Sequence, residues 1–309
     1  MNKWNTDNMP LQEGKIAIVT GANSGLGYYT AKGLLVKGAE VIMACRNVEK
    51  GEIAASEIVD EYPSAKLHIM HLDLSDLSSV KRFADSFLER FHKLDILINN
   101  AGLMAIPYAK TVDGFEMQFG VNHLGHFALV RHLFDILKST PGARVVAVSS
   151  IAAKAGDFDF EDLNWEKKYR RWFAYGRSKL ANLLFILELA DKTSKRGIDI
   201  TALAAHPGYA DSNLLEKGPT MKGRKWLVKA GHLANKLVAQ STEMGALPTL
   251  YAATSEDVVQ GGYYGPRGFA GMKGYPTRTY PNNKKITKDL QKKLWLNSEE
   301  LTGVSFLSD

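Results

Sequence analysis

Six short stretches of this chain are nearly unbroken runs of apolar residues, and a helix-length segment separates each from the next. The runs are "KIAIVTG", "AEVIMAC", "KLHIMHLD", "LDILINNA", "ARVVAVSS" and "IDITALAAHPG". A strand buried on both faces reads this way, whereas a strand with one wet face alternates apolar and polar residues. The intervening segments, about 25–37, 47–61, 76–91, 113–138 and 175–193, are predicted as helices. Strand–helix alternation with right-handed crossovers specifies an α/β fold built on a doubly wound parallel sheet. One domain is expected over residues 14–309, behind an N-terminal extension at 1–13. After about residue 210 the alternation fades. A helical excursion at about 212–236, a helix near 241–254 and a short strand in "GGYYGP" are predicted there. Elements at about 156–172 and 209–240 are expected to wall the substrate side.

Composition narrows the class. The chain has 309 residues, 45% of them hydrophobic, which is ample for a large core. No apolar run reaches the roughly 18 residues of a membrane span, and "MNKWNTDNMPLQEGK" lacks the apolar stretch of a signal peptide. Cys45 is the single cysteine, which excludes an intrachain disulfide and fits a reducing compartment, so a cytoplasmic protein is expected. The net charge of +6 gathers in patches such as "WEKKYRRW", "KGRKW" and "NNKKITKDLQKK". These read as solvated faces rather than a nucleic-acid surface, and an anionic ligand would welcome the field.

The first strand runs directly into "TGANSGLG", with Gly21, Gly25 and Gly27, and a helix pattern follows at once. Gly21 permits a sharp turn, Gly25 lets backbone approach a phosphate, and Gly27 allows close helix packing. The helix N-terminus adds free N–H groups and partial positive charge. The turn therefore reads as a dinucleotide site on a Rossmann-like sheet. Cofactor choice is read at the end of the next strand. An acid there grips the ribose of NAD(H), but here the chain reads "ACRN". Arg46 in that place can pair with a 2′-phosphate, which predicts NADP(H) in preference to NAD(H).

Five motifs then occur in order: "TGANSGLG", "NNAG", "VVAVSS", "YGRSK" and "HPG". Over roughly residues 14–265 the chain resembles the short-chain dehydrogenase/reductase family. The stretch "DFDFEDLNWEKKYRRWFAYGRSKLANLLF" is most similar to its retinol dehydrogenase-like branch, with protochlorophyllide reductase-like proteins as further relatives. A carbonyl reduction needs hydride on carbon and a proton on oxygen. A free phenol, with a pKa of about 10, gives up its proton reluctantly at neutral pH. Tyr175 and Lys179 stand at i and i+4, on one helix face, where an ammonium favours the phenolate. The resemblance assigns Tyr175 as acid/base and Lys179 as its tuner and a ligand of the nicotinamide ribose. It gives Ser150 the substrate oxygen, with Ser149 as the adjacent alternative. Asn122, in "FGVNHLGHF", would kink the long central helix and hold a water that relays protons to Lys179. For the cofactor it further implies Asn23, Ser24 and Leu26 in the glycine turn, and Asp73 and Leu74 near adenine. Asn99, Ala101 and Gly102 would lie under the adenosine, Pro207 and Gly208 beside the nicotinamide amide, and Ser212 near the carboxamide and phosphates.

Twenty-five positions separate Ser150 from Tyr175, more than in many members of that family, and the added segment is expected to shape or lid the substrate mouth. Tyr169, Tyr209, Met104 and Leu214 are positional candidates for the pocket wall. His123 and His126 lack an evident third ligand, and no metal is expected; His68 and His71 should face opposite sides of a strand. The chain reads as an NADP(H)-dependent oxidoreductase that interconverts a carbonyl and an alcohol on an apolar small molecule, retinal-like, steroid-like or a simpler aldehyde or ketone. The rivals are a protochlorophyllide reductase-like double-bond reductase and a non-catalytic dinucleotide-binding protein. The helices near 113–138 and 175–193 offer faces for a homo-oligomer.

Overall fold

The computed structural model describes residues 3–209, 240–281 and 283–307. Its strands are β1 (Ile16–Thr20), β2 (Glu40–Cys45), β3 (Lys66–His71), β4 (Ile96–Asn99), β5 (Ala143–Val148), β6 (Ile200–Ala205), β7 (Tyr263–Pro266) and β8 (Pro276–Thr279). They form one sheet in the order β3-β2-β1-β4-β5-β6-β7-β8. Each neighbouring pair is parallel except β7 with β8. All six runs read from the sequence are strands. β8 was not legible, because "PTRT" is a half-exposed antiparallel edge and carries no two-faced apolar signature.

Helices cover both faces of the sheet. Along β1 the side chains alternate: Ala17 and Val19 join the core beneath α1 (Gly25–Val36), α2 (Val48–Glu61) and α8 (Thr242–Thr254), while Ile18 joins the core on the other face. That second core is built by α3 (Leu77–Arg90), α5 (Gly125–His132), α6 (Phe134–Ser139), α7 (Arg171–Lys195) and α9 (Lys288–Thr302). The N-terminal segment packs on the first core, with Met9 buried and Trp4 edge-on to Tyr251 at 5.1 Å. Strand order reverses between β1 and β4, the place where open α/β sheets leave a crevice for ligands.

The helix predicted over 113–138 is broken. It starts with α4 (Met117–Phe119), passes through a π-turn at Gly120–Leu124, and is interrupted again at Leu133 between α5 and α6. Residues before it are held in a turn: Gly114 has φ +87°, and Lys110 bridges Glu116. The buried Glu116 carboxylate then caps the helix by accepting from Gln118 N (3.0 Å) and Phe119 N (2.7 Å).

The segment expected at 156–172 divides: Trp172 near its end lines the substrate mouth, whereas the stretch 157–165 packs along α7. Arg177 pins it there, with its guanidinium 4.3 Å from the Trp165 ring and donating to the carbonyls of Asp157 (3.0 Å), Asp162 (2.8 Å) and Leu163 (3.3 Å). Part of the faces offered for subunit pairing is covered by the chain itself. Trp295 of α9 stacks on Phe185 (5.8 Å) and meets Phe127 edge-on (5.2 Å), and Phe306 closes over Phe127 and Phe134. Large aromatic rings displaced from water on this scale dominate local stability.

Candidate active site

A cleft of about 1020 Å³ runs across the carboxyl ends of the central strands. At one end lies the glycine turn. Gly21 has φ +65° and Gly25 φ +59°, both in the region that favours glycine, and nothing lies within 4 Å of a Cβ placed on Gly25. A Cβ on Gly27 would stand 2.3 Å from Gly21 O and 2.5 Å from Asn100 Nδ2. Only glycine fits there, as the sequence reading required. The first turn of α1 carries no acid, and the Ser24 hydroxyl makes no capping bond to it. Its free N–H groups face a cleft that Asn23, Ser24, Gly25, Leu26 and Gly27 line. The residues present therefore fit a dinucleotide pyrophosphate.

Thr20 is the hub that holds this turn, and sequence reading missed it. Its hydroxyl oxygen accepts from Asn100 N and Ala101 N, both at 2.9 Å. His126 Nδ1 donates to Asn122 O at 3.0 Å, so its Nε2, 2.9 Å from Thr20 Oγ1, is left to accept the threonine proton. Burial pulls His126 down to about 4 and His123 to about 3, holding both neutral; His123 Nε2 pairs with Ser298 Oγ at 2.8 Å. Asn99 needs correction. It lies on β4, 1% exposed, and does not line the cleft. Asn100, the second asparagine of "NNAG", does, and its Nδ2 donates to Thr20 O at 2.7 Å. Strand alternation decides between them: adjacent residues face opposite ways. Ala101 and Gly102 line the cleft as expected.

Arg46 lines the same end, beside the glycine turn, together with Asn47 and Lys50. Asn47 caps α2, its Oδ1 accepting from Lys50 N at 2.7 Å. The expected cation is thus accompanied by a second one and by a helix N-terminus, a pattern that a helix starting at residue 48 already made available. Asp73 and Leu74 line the adjoining wall, and Asp73 Oδ1 accepts from Ser75 N (2.9 Å) and Ser75 Oγ (2.6 Å).

Ser150, Tyr175 and Lys179 face the same cleft. Ser150 follows β5, and its hydroxyl is near enough to the Tyr175 phenol to oppose the rise in its pKa while accepting from Ala152 N at 3.2 Å. Ser149 also lines the cleft, but its hydroxyl is taken up in donating to Lys179 O at 2.7 Å. Lys179 Nζ donates to Val148 O at 3.0 Å and lies 6.0 Å from the Tyr175 ring centroid. The electrostatics differ from the sequence expectation. Burial raises the Tyr175 phenol above its ordinary value, and only Ser150 opposes it. Burial also brings Lys179 down to about 8. Desolvation outweighs the ammonium because both groups are enclosed and the charge is several ångströms from the oxygen.

Asn122 sits in the π-turn with its side chain committed. Its Oδ1 accepts from Leu103 N (2.7 Å), and its Nδ2 donates to Leu103 O (2.9 Å) and Ser178 Oγ (2.9 Å). It does not line the cleft. The side chain pins the loop after β4 to α7. A Cβ on Gly102 would meet Asn122 Oδ1 at 3.1 Å and Lys179 Nζ at 3.2 Å, so these groups are packed around that glycine.

Beyond the catalytic group the cleft is walled by Met104, Trp172, Pro207, Gly208, Tyr209 and Met272. Trp172, one helical turn before Tyr175 and edge-on to it at 6.5 Å, was findable from the i, i+3 spacing in "WFAY". Met272 comes from a loop that no local pattern ties to the site. Tyr169 is a correction: its hydroxyl donates to Ile106 O (3.0 Å) and meets Gln118 and Glu116, which anchors it away from the cleft. Ser212 and Leu214, and most of the element expected at 209–240, lie outside the described residues.

The comparisons agree with this geometry. The family model described as short chain dehydrogenase matches residues 15–222. Retinol dehydrogenase 12 of Mus musculus is 43% identical over 295 residues, covering 95% of this chain and 88% of that protein. The crystal structure of an uncharacterised protein from Mycobacterium paratuberculosis superimposes with a TM-score of 0.81 at 40% identity, covering 99% of each chain. The NADP complex of Pseudomonas aeruginosa RhlG shares the fold, with a TM-score of 0.62 at 24% identity over 82% of this chain and 94% of that one. Among the described residues, no helix is long and apolar enough to cross a membrane.

Proposed function

The chain belongs to the short-chain dehydrogenase family and is an oxidoreductase of alcohol and carbonyl groups, and from that premise we propose that it reduces the carbonyl of an apolar small molecule with NADPH, Tyr175 acting as the acid. The observation that carries the reading is one continuous cleft that joins the glycine turn and Arg46 to Ser150 and Tyr175.

When bound, the dinucleotide supplies the hydride that the carbonyl carbon accepts. The chain's residues do the rest. Ser150 holds the substrate oxygen beside the phenol. Tyr175 gives its proton to that oxygen as C=O becomes CH–OH, and solvent reprotonates the tyrosinate. Because burial keeps Tyr175 protonated, the resting site holds the form that reduction uses. Lys179, half-charged near pH 8, stabilises the tyrosinate as it forms. Arg46 and Lys50 would flank the 2′-phosphate, with the N-terminus of α2 behind them. The likeness to a retinol dehydrogenase and the cleft-lining Met104, Trp172 and Met272 favour a substrate with a long apolar body.

The test is NADPH consumption over a panel of apolar aldehydes and ketones, wild type against Tyr175→Phe. Turnover by the wild type and its loss in the variant, with NADPH affinity retained, is expected. Equal rates for the two proteins would overturn the role of Tyr175.

A further inference from the structure

A second, smaller hollow of about 90 Å³ opens beside the cleft at Ser150. The two share Ser150, Ile151, Lys154 and Ala270, so they meet at the reacting group. Leu183, Tyr263, Pro281 and Ile286 form its deeper wall. Among its polar neighbours Asn283 and His206 are engaged by the protein, while Lys154 and Thr279 also line it. Asn283 Nδ2 donates to Ala153 O (3.2 Å) and Gly156 O (3.4 Å). His206, held neutral at about 4 by burial, accepts from Gly208 N at 3.2 Å. What remains for a ligand is mostly aliphatic and aromatic surface.

Size sets what can enter. An apolar cavity of about 150 Å³ takes up benzene, so on the same scale this one takes about three or four carbons and refuses a ring. A carbonyl carbon held at Ser150 has two substituents. The main cleft has room for a large one, and the hollow has room for a short one.

Resting on the carbonyl-reductase reading above, we infer that the hollow beside Ser150 seats a short alkyl arm of the substrate, making the preferred substrate class ketones, or the matching secondary alcohols, with one bulky and one short substituent. An aldehyde leaves the hollow unfilled and forgoes that contact.

A series of phenyl alkyl ketones tests this, because the ring cannot enter the hollow and only the alkyl arm varies. In the wild type, kcat/KM rises by about fourfold per added carbon, the value of one buried methylene, and breaks after about three or four carbons. Ile286→Phe moves the break to shorter arms and Ile286→Ala to longer ones, while benzaldehyde reduction and thermal unfolding confirm that each variant is folded and active. A series without a break, or a break that neither variant moves, overturns the inference while leaving the carbonyl-reductase reading intact. No turnover of benzaldehyde or any ketone by the wild type sinks both.

Discussion

The two ends of the cleft are built by different rules. At the dinucleotide end each residue answers a local backbone demand: a positive φ at Gly21 and Gly25, a missing Cβ at Gly27, a capping oxygen at Asn47. Most of that wall comes from three strand–helix junctions. At the substrate end, Met104, Trp172, Tyr209 and Met272 arrive from segments up to more than a hundred residues apart in the chain, and each is placed by packing rather than by its own conformation. A local demand leaves one residue type no substitute; a packing position accepts several. The first end should therefore be brittle to small changes, and the second should tolerate them while changing preference.

That contrast can be broken in four ways. The largest effect falls where the ends meet: Tyr175→Phe should lower kcat by about a thousandfold, within the usual span for a lost general acid, and leave the NADPH dissociation constant unchanged in fluorescence titration. Next, Gly27→Ala adds one methyl group 2.3 Å from Gly21 O and should weaken NADPH binding by about a hundredfold, roughly 2.7 kcal/mol. If it binds normally, the dinucleotide end is not brittle. Smaller again, Arg46→Asp should cut the preference for NADPH over NADH by about tenfold or more in paired titrations, since a charge-assisted contact is replaced by repulsion; Lys50→Ala should give a weaker version of the same shift.

The last effect is one of stability rather than of binding or rate. Lys179 has a folded pKa of about 8 against an ordinary 10.5. Below pH 8 the folded protein bears the cost of a buried charge, on the order of 3 kcal/mol. Between about 8 and 10.5 the unfolded chain binds the proton and the folded one does not, so stability rises with pH through this window. In dinucleotide-free protein, Lys179→Met should melt a few degrees higher at pH 7, lose that slope, and lose activity. A lower melting temperature at pH 7 would show that the buried ammonium is better accommodated than its surroundings imply.

Legibility in the sequence followed the same divide. The six buried strands, the glycine turn, Arg46 and the pair Tyr175 and Lys179 were readable because period, spacing or a conformational need marks them. Asn100 was passed over for Asn99, although strand alternation separates them. The break in the helix at Gly120–Leu124 falls at Asn122, where the family resemblance implied a kink, although no period announces it, since one extra residue in a turn barely alters the apolar pattern. The segment expected at 156–172 was partly legible for a different reason: its position before the catalytic helix suggested a lid, and Trp172 does line the mouth, but Arg177 and Trp165 hold 157–165 along α7. Spatial side is a property of tertiary packing, and chain order does not carry it.

The aromatic seal made by Trp295 and Phe306 has a temporal meaning. A ribosome delivers Phe127 and Phe185 well before the helix that shields them. At about 5–20 residues per second, those rings wait several seconds or more for their cover. During that interval a half-made chain exposes a sticky aromatic surface, so the nascent protein should be a client of holding chaperones until its final turns emerge.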